Sequence, residues 1–247
     1  MSTVTIEQIA LADEPSAWRA LGFAVEGDLL TLGSIGLRLL GREAGRGILG
    51  WTLRGAAGVE LDGLPTTASG SGDAAQPSTT EPSAGEPQPG EPRASERRAA
   101  EPHVGQPSAG EHPNGVGGID HIVAFSPDLD RSVRALRDAG LDLRRVREQP
   151  TPAGAPRQAF FRLGEAILEV VQIAADELER AGGVEAPARF WGLALAVSDI
   201  DRTVAALGEH SSEPRPAVQP GRRIATLRRS AGLAVPIALI DARVAAA

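Results

Sequence analysis

Two residues able to do chemistry stand in apolar surroundings. His121 lies in "GIDHIVAF" and Glu169 in "AILEVVQI", runs too short for helices and read as buried strands. A neutral imidazole and a carboxylate on facing strands are suitable ligands for Zn, Fe, Mn or Ni. A carboxylate inside an apolar strand also needs a partner, because an unpaired buried charge is costly. The competing role for His121 is an ordinary hydrogen bond. Arg157 and Arg162 flank "QAFF" and suit a ligand carboxylate or phosphate if a cleft lies beside them; solvated strand-face charge is the competing role. Phe160, Phe161, Phe190 and Trp191 are candidates either to line such a cleft or to fill the core. His103 and His112 fall in a low-complexity stretch and His210 in the loop "GEHSSEP", with no metal-like spacing to His121. Cysteine and tyrosine are absent, which removes thiol nucleophiles, thiolate metal sites and one common general acid.

The elements that must position these residues come from a repeat. "PDLDRSVRAL" at 127–136 recurs as "SDIDRTVAAL" at 198–207, an offset of 71 residues. Acidic residues open both predicted helices, where they favour the positive end of the dipole, and Ser198 with Asp201 has capping-box spacing. Each helix follows an apolar strand, "IDHIVAF" or "WGLALAV". "LDLRRVRE", "RQAFFRL" and "AILEVVQI" follow the first helix between Pro and Gly turns, so the unit is strand, helix and three strands. The second copy continues weakly near "EPRPAVQ", then as "RRIATLR" and "LAVPIALI", where Pro236 predicts an edge or bulge. A compressed third copy opens the chain with "VTIEQIALA", "EPSAWRALG", "FAVE", "DLLTLG" and "IGLRLLG". "GILGWTLRG" at 47–55 reads as the opening strand of yet another unit whose remainder is missing.

Between these parts, residues 66 to 113 hold Val104 as their only large apolar side chain. Such a segment buries too little surface to offset chain entropy and is expected to be disordered. The predicted organisation is therefore α+β: an N-terminal βαβββ module plus extra strand at 1–64, a linker at 65–117 rich in Pro, Gly, Ser and Glu, and a domain at 118–241 built from modules 118–174 and 189–241. The 247-residue chain carries net charge −7 and has a pI near 5.2, which opposes nonspecific nucleic-acid binding. No apolar stretch is long enough to span a bilayer, and "MSTVTIEQIALADE" lacks the basic-then-apolar pattern of a signal peptide. A cytoplasmic protein without nucleic-acid or membrane partners is expected.

A tandem βαβββ unit carrying "GIDHIVAFSPDLDRSV", "RQAFFRLGEAILEVV" and "FWGLALAVSDIDRTV" resembles the vicinal oxygen chelate superfamily. That group includes glyoxalase I, methylmalonyl-CoA epimerase, extradiol dioxygenases and bleomycin-resistance proteins. The resemblance implies a glyoxalase-like fold in which two modules pair their mixed sheets around a cleft. It also implies metal ligands on the first and last strands of each module, placing His121 and Glu169 at two such positions. In the final module the position matching His121 is Gly192, and that matching Glu169 falls near Ile237 or Val235, with no carboxylate before Asp241. Pairing with the first module would instead place Gln8 opposite His121 and Arg38 opposite Glu169, making Gln8, His121 and Glu169 a ligand set and Arg38 a cation competing for Glu169. The implied function is a small-molecule-binding cleft with an incomplete metal site and an undetermined reaction. The alternative is a Zn-, Ni-, Mn- or Fe-dependent lyase or isomerase in which Glu169 is ligand or base and Arg157, Phe161 and Arg162 bind substrate. Dioxygenation is disfavoured because Gln8 replaces the second histidine of an extradiol iron site. A metal-free binder similar to the bleomycin-resistance branch is the rival, and a homodimer suits either.

Overall fold

The apolar residues of "TIEQIAL" make the first strand, β1 (Thr5–Leu11), in which a bulge at Glu7 lets Ile6 face inward with Ile9 and Leu11. A short helix follows, α1 (Pro15–Ala20), with proline preset at its start and Trp18 fully buried. The chain returns through β2 (Val25–Glu26), β3 (Leu29–Leu32) and β4 (Ile35–Leu39), then adds β5 (Ile48–Arg54) and β6 (Thr66–Ala68). These make a sheet of order β2-β3-β4-β1-β5-β6. The second sheet begins with β7 (Val116–Ser126), α2 (Leu129–Asp138), β8 (Asp142–Arg147), β9 (Gln158–Leu163) and β10 (Ala166–Gln172). It continues with β11 (Arg189–Val197), α3 (Ile200–Leu207), β12 (Arg215–Pro216), β13 (Arg223–Thr226) and β14 (Ile237–Asp241), in order β12-β13-β14-β11-β7-β10-β9-β8. This is the α+β, glyoxalase-like arrangement expected. The computed structural model describes residues 3–69, 112–151 and 154–242.

The repeated acidic motif caps both helices. Asp128 accepts a hydrogen bond from the Arg131 amide at 2.9 Å and Asp199 from the Arg202 amide at 3.1 Å. The cap is thus the aspartate before each helix, not the Ser198/Asp201 pair expected from spacing. Pro236 also departs from expectation. It precedes β14, an interior strand, and its carbonyl accepts from the Leu193 amide at 3.0 Å. The missing proline N–H therefore lies outside the ladder.

Strand registers make the repeat geometric. β7 is flanked by parallel β10 and antiparallel β11, and β1 by parallel β4 and antiparallel β5. Gln8 pairs with Gly36 and Thr52 as His121 pairs with Ile167 and Ala194. Gln8 and Arg38 are accordingly the first-sheet counterparts of His121 and Glu169. The missing unit after β5 is not wholly missing. Trp51 pairs with Thr66 as Leu193 pairs with Ile237, and the Trp51 amide donates to the Pro65 carbonyl at 3.1 Å as Leu193 does to Pro236. β6 is therefore the last strand of a fourth copy, whose helix and two middle strands are replaced by residues 55–65.

That loop changes the domain organisation. Residues on both sides of the linker belong to one compact unit with a shared core, rather than a domain with a tethered accessory. Asp62 receives Arg131 Nε at 2.6 Å and the Ser132 hydroxyl, while its carbonyl accepts from the Ala188 amide at 2.8 Å. His112, assigned to the linker by composition, is buried and joins the first module: Nδ1 accepts from the Ala24 amide at 3.1 Å and Nε2 lies 2.9 Å from the Thr31 carbonyl. Residues 65–69 and 112–117 are likewise structured, including β6 and the start of β7. The rest of the expected linker, with His103, lies outside the described residues. Among the described residues no helix is long and apolar enough to cross a membrane.

Candidate functional site

The site is assembled on the central strands by an irregularity. His121 pairs with Ala194 and Ile119 with Leu195, so Asp120 is an extra residue in β7, a β-bulge. Regular alternation would send Asp120 and His121 to opposite faces. The bulge lets them meet, and His121 Nδ1 donates to Asp120 Oδ2 at 2.8 Å. The other oxygen of Asp120 accepts from Arg222 Nη2 at 2.6 Å, and Arg222 Nε is anchored on the Asp241 carbonyl at 2.6 Å. The same irregularity recurs across the pseudo-two-fold, where Trp191 is the extra residue of β11.

His121 Nε2 lies 3.5 Å from Glu169 Oε2, and the Gln158 amide donates to Glu169 Oε1. Burial raises the Glu169 carboxyl above its ordinary range, against the attraction of His121. Burial opposes ionisation of Asp120 too, but the hydrogen bonds from His121 and Arg222 prevail and hold it well below the usual carboxylate range. Asp120 is therefore an anion that fixes Nδ1 as the donor. Nε2 faces a carboxyl with a raised proton affinity, an arrangement able to take up or release a proton at a bound molecule.

His121 and Glu169 open onto a cleft of about 950 Å³, with Gln158, Val123, Phe160 and Trp191 among the residues around them. Of the three side chains expected to bind substrate, none lines it. Phe161 is fully buried because neighbouring strand residues face opposite ways, and Phe160 takes the cleft position. Arg157 is held by Glu148 at 2.7 Å and Asp130 at 3.0 Å. Arg162 shares the cleft-side parity of Phe160 but lines a separate small pocket beside Asp120 and Glu165. Arg145, Arg147, Arg215 and Trp191 do line the cleft. Arg144 is an extra residue in β8, so Arg145 and Arg147 share the face of Phe160 and Gln158. Only "DLRRVR" itself signalled them, and a bulge cannot be read from that pattern.

Of the expected trio, His121 and Glu169 lie on the second sheet and Gln8 on the first. Arg38 pairs with Asp28 at 2.7 Å rather than with Glu169. Across the pseudo-two-fold of the second sheet His121 maps to Gly192. Glu169 maps to Ala238, because Ile122 pairs with Leu168 as Leu193 pairs with Ile237. The register thus moves the match from Ile237 or Val235 to Ala238. Gly192 cannot acquire a ligand without rearrangement, since a Cβ there would lie 2.5 Å from the Pro236 carbonyl oxygen. A catalytic zinc-type site takes three protein ligands. The cleft offers His121 and Glu169, and among the described residues no group of three or more His, Cys, Asp or Glu is placed to hold a metal. These residues do not fit a catalytic metal centre.

Two βαβββ modules sharing one sheet around a cleft define a paired-module protein of the glyoxalase type. Residues 118–231 match the model of the Glyoxalase/Bleomycin resistance protein/Dioxygenase superfamily. Among solved structures, the chain is similar to methylmalonyl-CoA epimerase from Mycobacterium tuberculosis, with 22% identity over 53% of this chain and 91% of that one and a TM-score of 0.41. A hypothetical protein from Bacillus halodurans C-125 gives 18% identity over 52% and 96%, with a TM-score of 0.42. A single-residue variant of Streptomyces coelicolor methylmalonyl-CoA epimerase, in complex with 2-nitronate-propionyl-CoA, gives 21% over 51% and 95%, with a TM-score of 0.42. No curated protein matches the chain.

Proposed function

We propose that the domain binds a small organic molecule in the cleft without a metal, and that His121 and Glu169 meet it as a hydrogen-bonding, proton-exchanging pair. The observation carrying this reading is the pair of blank positions across the two-fold, Gly192 and Ala238, which leaves two donors where a metal needs more. The cleft is of a size that suits a ligand of drug-like dimensions. Its Asp120–His121 bond sets the imidazole tautomer in the way a base is oriented for proton transfer.

The metal-dependent lyase or isomerase is the competing reading, and thermal-shift screening separates the two. The untagged protein is scanned with Zn, Ni, Mn and Fe(II), with and without EDTA, beside a panel of small organic molecules. Stabilisation by organic molecules alone is expected. Near-stoichiometric metal in the purified protein, lost in His121→Ala, would overturn the proposal.

A further inference from the structure

The charges in the cleft are unevenly partnered. Arg145, Arg147 and Arg215 all line it, and among the described residues none has a carboxylate within ion-pair distance. Arg145 stacks its guanidinium 4.8 Å from the centroid of Phe160, which leaves its hydrogen-bonding edge uncommitted to any described side chain. The two cleft carboxylates are already engaged. Glu148 at the rim is bound by Arg157 at 2.7 Å, and Glu169, which attracts Arg145 and Arg147 from beyond ion-pair distance, is held by Gln158 beside His121. A chain of net charge −7 thus presents a cationic cleft.

The remaining lining is largely apolar. Phe125, Phe160, Val171, Trp191, Ile224 and Ile240 surround the polar pair. Trp191 is 49% exposed despite its size, because the β11 bulge turns it out of the sheet and into the cleft, where its ring meets Phe125 at 5.6 Å. An exposed indole and a guanidinium-stacked phenyl ring lining one cleft are suited to a flat apolar body, and arginines without an ion-pair partner to a carboxylate or phosphate on that body.

We propose that the ligand of this cleft is an organic anion with a flat, preferably aromatic body: its charged group is held by Arg145 and Arg147, and its body packs on Phe160 and Trp191. This rests on the reading of the cleft as a small-molecule site and adds the sign and shape of the molecule. Arg215, on β12 at the other end of the sheet order from β8, adds cationic charge to the same cleft.

The test uses the full chain and three probes of one shape, 2-naphthoate, 2-naphthamide and 2-naphthylmethylammonium, followed by quenching of tryptophan fluorescence. Trp18 and Trp51 are buried, so cleft binding is read through Trp191. Naphthoate should bind at least about tenfold more tightly than the amide, as expected for a charge-assisted contact, and its affinity should fall with added salt. Arg147→Gln should weaken naphthoate about tenfold and leave the amide unchanged, with Arg147→Lys restoring part of the loss and the thermal midpoint unmoved in both. If the amide or the ammonium binds as well as the acid, the anion assignment fails while the cleft reading survives. If no probe binds, both fall.

Discussion

Asp120 and Glu169 are buried carboxyls on the two sides of one imidazole, and they respond to pH with opposite signs. Asp120 is depressed by its bonds to His121 and Arg222, so its stabilising contribution is present above about pH 4 and is lost as pH falls through the depressed folded value. Glu169 is raised, so the stability associated with its protonated form is present at acid pH and lost as pH rises through the raised value. Glu169→Gln keeps an acceptor for Gln158 and removes the buried charge. The variant should melt a few degrees above the parent near pH 8, with the difference closing near about pH 4. Thermal denaturation across that range checks this; a gap that widens towards acid would contradict the sign.

At the scale of the strand, bulges and close backbone approaches decide which side chains share a face. Asp120 and Trp191 are the extra residues of β7 and β11, and Glu7 and Leu49 occupy the corresponding places in β1 and β5. Gly192 has its counterpart in Gly50, and a Cβ at either would crowd a proline carbonyl, at 2.5 Å from Pro236 and 2.9 Å from Pro65. Gly192→Ala should cost about 1–3 kcal/mol in urea unfolding, the range of an overpacked site. Gly118→Ala, on β7 with nothing within 4 Å of the added carbon, serves as the control and should leave stability nearly unchanged. The same geometry separates what the strands reveal from what they conceal. "GIDHIVAF" and "AILEVV" marked His121 and Glu169 correctly as polar residues in buried strands, but two-residue alternation cannot reveal that Asp120 reaches His121. A single-residue slip of parity also put Phe161 where Phe160 belongs.

The whole molecule is held together where the fourth copy was shortened. Residues 55–65 carry Asp62 to the start of α2, where Arg131 also donates to the Val184 carbonyl at 2.8 Å and the Ala186 carbonyl at 2.6 Å. Arg131 is one of the residues repeated at Arg202. Its copy here is used for assembly of the two sheets. Asp62→Ala leaves Arg131 and Ser132 without this acceptor and should lower stability by about 1.5–3 kcal/mol. Because both sheets share one core, unfolding should remain a single transition. Two resolved transitions in calorimetry would show that the halves fold independently.

The sequence by itself determined the repeating unit, its offset, the helix starts and the polar residues of the central strands, because caps and apolar periodicity are local properties of the chain. It also showed that the final module brings no ligand to match His121. Which modules share a sheet, the union of the first module with the second domain, the place of His112 and the cationic lining of the cleft were decided only by tertiary structure. These depend on strand register, bulges and contacts between residues distant in sequence, such as Asp62 with Arg131 and Asp120 with Arg222, and no local pattern encodes them.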